Sequence, residues 1–180
     1  MKKLIYDGTT YYYQDGKLYD KSFLEIPKAA SLPILSNYYA QVDYSEFSEQ
    51  ELINYIKAIK NSELYTLCIK VISFGANKFS DSLNYLNIVF PIVTSCYRLS
   101  GNPQKAIDFW ISKKDKYRSI LSNPLLTSLA AAYCDVKNYR MALYCAKKAY
   151  EMQGGKVGYK NELSLVYERI KKEAPELFKK

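Results

Sequence analysis

The sequence predicts an all-α fold, a solenoid of stacked helical hairpins, preceded by a small β-hairpin or meander at the N-terminus. Three observations carry that expectation. Two stretches repeat at a spacing of 36 residues: Val93, Tyr97, Asn102, Ala106 and Ile107 return as Leu129, Tyr133, Asn138, Ala142 and Leu143. One helical hairpin per repeat produces a period of this length, with aromatic and small residues at matched offsets. Apolar residues also recur at helical spacing over most of the chain beyond residue 45. The first 28 residues break with that pattern and are rich in β-formers.

Asp7-Gly8 and Asp15-Gly16 are hairpin-turn signals, since glycine supplies the positive φ such turns require. Leu4 to Tyr6, Thr9 to Gln14 and Lys17 to Tyr19 then read as short antiparallel strands. So small a sheet is not stable alone and must pack on something. It serves either as a cap on the first helices or as a strand edge that captures a peptide. Pro27 and Pro33 bracket an expected linker over residues 29–44, and the helical domain is expected over 45–180.

Ser48-Glu49-Gln50-Glu51 forms a capping box, followed by Leu52, Ile53, Ile56 and Ile59 in a helix to about Lys60. A second helix is expected from near Ser62 to Phe74, with Gly75 as its C-cap. The third, near Asp81 to Leu99, contains Pro91, so it either starts near Asn87 or bends there. Pro103 opens the next helix, to about Lys114, and Asn123-Pro124 opens another that ends near Val136. Tyr139 to Met152 follows, and a last helix is expected from about Tyr159 to Lys172.

The matched positions resemble tetratricopeptide repeats. Leu129, Ala130, Tyr133, Tyr139, Ala142, Ala146 and Ala149 fall where that family places its small and bulky packing residues. The preceding unit keeps Val93, Tyr97, Gly101, Ala106 and Trp110, but has Lys113 where the family prefers a small residue. A weaker third unit aligns Leu52, Ile56, Asn61 and Cys68 with Val93, Tyr97, Asn102 and Phe109 at a spacing of 41, with Tyr65 in place of the alanine. The resemblance implies a right-handed solenoid with two clear repeats and one degenerate, closed by the polar last helix. It also implies a non-catalytic adaptor or scaffold that binds a protein or peptide segment along the face made by first helices. That face would contain Gln50, Asn54, Lys57, Ser95, Arg98 and Thr127, with Ala131 beside them. Its firm charges, Lys57 and Arg98, favour an acidic or amide-rich ligand. A paired-cation clamp for a terminal carboxylate is incomplete, because Thr127, Ala131 and Cys134 supply no second basic anchor.

Composition narrows the function classes. A hydrophobic fraction of 48% excludes disorder as the overall state. The absence of histidine removes the commonest general base, the usual zinc ligand and every Ser-His or Cys-His pair. No metal, cofactor or catalytic residue is expected. Gly154-Gly155-Lys156-Val157-Gly158 lacks both the strand and the spacing of a phosphate loop and reads as a helix stop. Cys68, Cys96, Cys134 and Cys145 show no C-x-x-C pairing, and the apolar run after Met1 ends too early for a signal peptide. A cytoplasmic protein without a membrane partner is the expectation.

The net charge of +8 is uneven, and residues 101–150 carry nine Lys/Arg against three Asp/Glu. Lys105, Lys113, Lys114, Arg140, Lys147 and Lys148, with Lys116 and Arg118, are expected on second helices. These define an alternative: a nucleic-acid-binding protein that uses this basic face.

Overall fold

Both Asp-Gly pairs adopt the positive φ that the sequence predicts, with Asp7 and Gly8 at 48° and 71° and Asp15 and Gly16 at 51° and 84°. In the computed structural model, which describes residues 1–155 and 161–179, they join strands β1 (Lys2–Tyr6), β2 (Thr9–Gln14) and β3 (Lys17–Tyr19). The strands form an antiparallel meander in the order β1-β2-β3, with Leu4 opposite Tyr11 and Tyr13 opposite Leu18. Period-two alternation therefore puts Leu4, Tyr11, Tyr13 and Leu18 on one face, and Leu4 and Leu18 are both buried. Gly16 is needed for close approach as well as for the turn: a Cβ there would lie 2.7 Å from the Asn61 carbonyl oxygen.

The chain divides into two units, Met1–Phe79 and Ser80–Lys180. The first holds the sheet and helices α1 (Lys28–Ala40), α2 (Glu49–Asn61) and α3 (Tyr65–Lys78). The expected linker over residues 29–44 is thus corrected to a helix. Pro27 is its N-cap, and Ser31, Ile34, Leu35 and Tyr39 make a buried stripe at helical spacing that outweighs the amide lost at Pro33. Gly75 does not end α3. It lies on the buried face with Cys68, Val71 and Ile72, and the helix runs on to Lys78.

Tyrosines bind the sheet to these helices. Tyr39 donates its hydroxyl hydrogen to Tyr13 at 2.8 Å, and Tyr13 lies 3.2 Å from the Ser62 hydroxyl, which donates to the Ala58 carbonyl at 2.9 Å. Tyr55 donates to the Tyr39 carbonyl at 2.6 Å, and burial pushes its phenol up to about 12. The meander is packed on α1 and the end of α2 within this unit.

The capping box at α2 is complete: the Glu51 amide donates to the Ser48 hydroxyl, and the Ser48 amide donates to the Glu51 carboxylate. The Ser48 hydroxyl, which donates to that carboxylate at 2.6 Å, and the Ser48 amide hold the Glu51 carboxyl below its ordinary value. Ser48→Ala is expected to destabilise the first unit by about 0.5–2 kcal/mol in a denaturation midpoint.

The second unit contains α4 (Leu83–Leu99), α5 (Pro103–Lys113), α6 (Asn123–Asp135), α7 (Tyr139–Met152) and α8 (Glu162–Glu173). Short 3-10 turns lie at Arg118–Ile120 and Pro175–Phe178. α4 starts at Leu83, capped by Ser82, and passes through Pro91 rather than beginning near Asn87. The expected start of the last helix at Tyr159 falls outside the described residues, as do Lys156, Val157 and Gly158; Asn161 caps α8. Gly154 and Gly155 stop α7, their amides donating to the Glu151 and Tyr150 carbonyls.

α4 packs on α5 and α6 on α7, while α6 also packs on α4 and α5, and α8 on α6 and α7. Small residues permit the close approach: Ala106, Ala130, Ala132, Ala142, Ala146 and Ala149 are fully buried. Phe90, Phe109 and Tyr117 fill the space between α4 and α5, with Phe90 5.0 Å from Phe109 and 5.5 Å from Tyr117 between ring centres. The four cysteines are buried thiols on α3, α4, α6 and α7. Eight helices and one three-stranded sheet make the fold mostly helical among the described residues. No helix among them is long and apolar enough to cross a membrane.

Candidate peptide-binding site

Three helices of the second unit, α4, α6 and α8, enclose an open trough of about 300 Å³. Helical spacing on α4 brings Ser95 and Arg98 to its wall. Thr127, Ser128 and Ala131 come from α6, and Glu162, Leu165, Val166 and Arg169 from α8. The structure thus brings together the expected Ser95, Arg98 and Thr127. Thr127 is buried, however, and its hydroxyl donates to the Asn123 side-chain oxygen at 3.2 Å, so it supplies wall rather than a polar handle.

Gln50, Asn54 and Lys57 share one exposed stripe of α2 in the first unit, where the Gln50 amide donates to Asn54 at 3.0 Å. They belong to the first unit, whereas Ser95, Arg98 and Thr127 belong to the second.

Electrostatics in the trough centre on Asp135 at the end of α6. Arg98 approaches one of its oxygens at 3.5 Å, while Arg169 hydrogen-bonds the other. Arg169 also donates to the Cys134 carbonyl at 3.2 Å and to the Glu173 carboxylate at 3.0 Å. Asp135 and Glu173 hold the Arg169 guanidinium above its ordinary value. The Tyr139 hydroxyl and Arg169 together depress the Glu173 carboxyl. Arg169 is fully engaged in tying α8 to α6. Arg98 is not, because its buried Nε hydrogen has no acceptor among the described residues.

Arg169 and Glu162 line the trough, whereas the sequence leads one to expect of α8 only a polar cap. The available signal was the run Glu162, Leu165, Val166, Arg169, a stripe at spacings of three, one and three on one side of a helix. The alternative basic residues Lys105, Lys113, Lys114, Arg140, Lys147 and Lys148 are all exposed, and Lys148 pairs with Glu151 at 2.8 Å.

Desolvation raises the Cys134 and Cys145 thiols to about 11 and about 12, so neither provides a ready thiolate. Among the described residues no group of three or more His, Cys, Asp or Glu side chains is placed to hold a metal ion. Compared with protein-family models and with curated proteins, the chain matches none.

Proposed function

We propose that the protein is a non-catalytic binding module of tetratricopeptide type, active in the cytoplasm, which holds a peptide segment of another protein along α4, α6 and α8. The two helical hairpins α4/α5 and α6/α7, with α6 nested on both helices of the preceding hairpin, support that architecture. So does the 36-residue repeat that underlies it.

The observation that carries the ligand reading is the incomplete pairing of Arg98. Its contact with Asp135 is long, at 3.5 Å, and its Nε hydrogen lacks an acceptor among the described residues. Asp135 keeps Arg169 when Arg98 turns away, so the carboxylate is not stranded. Arg98 can then give two parallel hydrogen bonds to a carboxylate or amide oxygen of a ligand. Ser95 and Ser128 add half-buried hydroxyls, and Leu165 and Val166 an apolar strip, as a short acidic or amide-rich segment requires.

Affinity measured by calorimetry against an acidic peptide set tests this. Arg98→Gln is expected to weaken the best binder roughly 10–100-fold, the worth of hydrogen bonds to a charged group, with melting unchanged. Arg98→Glu is expected to abolish binding. Retained affinity in both variants would remove the trough as the site. Loss on reversing Lys113, Lys114 and Lys148 instead would move it to the basic face.

A further inference from the structure

The second unit carries another depression, between α5 and α7, with α6 as its floor and a volume of about 440 Å³. Its origin lies in the apolar stripe of α5. Ala106 and Ile107 are buried against the neighbouring helices, but one turn later Trp110 is only half-buried and Ile111 is exposed. Leu126 and Leu129 form the floor, and Met141 and Tyr144 the opposite wall. Ile111, Met141 and Tyr144 are 48%, 38% and 56% exposed, a contiguous apolar surface rather than scattered single residues.

The rim is cationic. Lys114 and Arg118 line the mouth, with Asp115 the one carboxylate among the described residues that line it. None of Lys113, Lys114, Arg118 and Arg140 has an ion-pair partner among the described residues. Residues 101–150 carry a net charge of +6, nine Lys/Arg less three Asp/Glu, so the field around the mouth draws anions.

We propose that this depression docks an acidic segment of a partner protein, which inserts a bulky apolar side chain between Trp110 and Tyr144 while its carboxylates lie against Lys114 and Arg118. Charge complementarity selects the acidic flanks, and the apolar floor selects the anchor. A nucleic acid would engage the rim through its phosphates and leave Leu126 and Leu129 unfilled, so the floor favours a protein. The site is independent of the trough at Arg98.

Trp110 is the chain's single tryptophan and lines this depression, so its emission reports occupancy directly. The probes are the peptide Asp-Asp-Glu-Phe-Leu-Asp-Glu, the same peptide with Ser at the Phe and Leu positions, and single-stranded oligo-dT. The Phe-Leu peptide is expected to blue-shift the emission and saturate, and the Ser peptide to bind about tenfold more weakly or less. Tyr144→Asp, at an exposed position, and the double variant Lys114→Glu with Arg118→Glu should each weaken the Phe-Leu peptide by a similar factor. Unchanged circular dichroism in each variant shows that folding is retained. Equal binding of the two peptides would reduce the site to plain charge attraction and overturn the proposal. So would a Trp110 response to oligo-dT alone, no response to any probe, or undiminished affinity in folded Tyr144→Asp.

Discussion

Replacing Leu18 by alanine is expected to destabilise the first unit by about 2–5 kcal/mol, the range for deleting a buried leucine side chain. Leu18 is 1% exposed in β3, on the face that carries Leu4 and Tyr13 toward the helices. Ile5, on the opposite face of β1, is 69% exposed, and its replacement by alanine should stay within about 0.5 kcal/mol. The pair tests the register, because slipping either strand by one residue exchanges the two faces. Denaturation followed by far-ultraviolet circular dichroism reads both variants. Equal losses at the two positions would refute the packing of the meander on α1 and α2.

Ala142→Leu carries the second large effect. Ala142 is fully buried in α7, where three added side-chain carbons have no space, so about 1–3 kcal/mol of overpacking is expected. Ala106→Leu in α5 should behave alike, whereas Lys147→Leu at an exposed position of α7 should be nearly silent. Trp110 lies in the second unit, so its fluorescence follows unfolding there. Small and equal shifts for all three variants would count against close helix approach at the repeated alanines.

Much of this architecture was legible because local signals and tertiary packing agree. The Asp-Gly turns, the Ser48 box, Pro103 and Asn123-Pro124 each mark a boundary by backbone chemistry alone, and the elements begin or end at or beside them. α1 was hidden because Pro33 signals a break, while burial of Ile34, Leu35 and Tyr39 on the tertiary structure decides in favour of helix. Gly75 misled in the same way: it satisfies packing on the buried face of α3, not the left-handed geometry of a helix end.

The site was legible only in outline. The resemblance to tetratricopeptide repeats placed Ser95, Arg98 and Thr127 on one expected surface, but the carboxylate that Arg98 approaches, Asp135, lies far along the chain. Asp135 and Arg169 are 34 residues apart, and no periodic pattern announces that one engages the other while leaving Arg98 underused.

The buried thiols have a consequence for kinetics. Cys68, Cys96, Cys134 and Cys145 stand on four different helices, each shielded from solvent. A thiol-reactive dye modifies such a cysteine only after its own stretch of backbone opens, so each labelling rate counts the openings of one helix. For Cys134 and Cys145 the closed state is doubly protected, since burial withholds the nucleophilic thiolate as well as access. The chain therefore carries four native clocks, one in α3 and three in α4, α6 and α7. Mass spectrometry of partly labelled protein would rank the helices by how often each lets go.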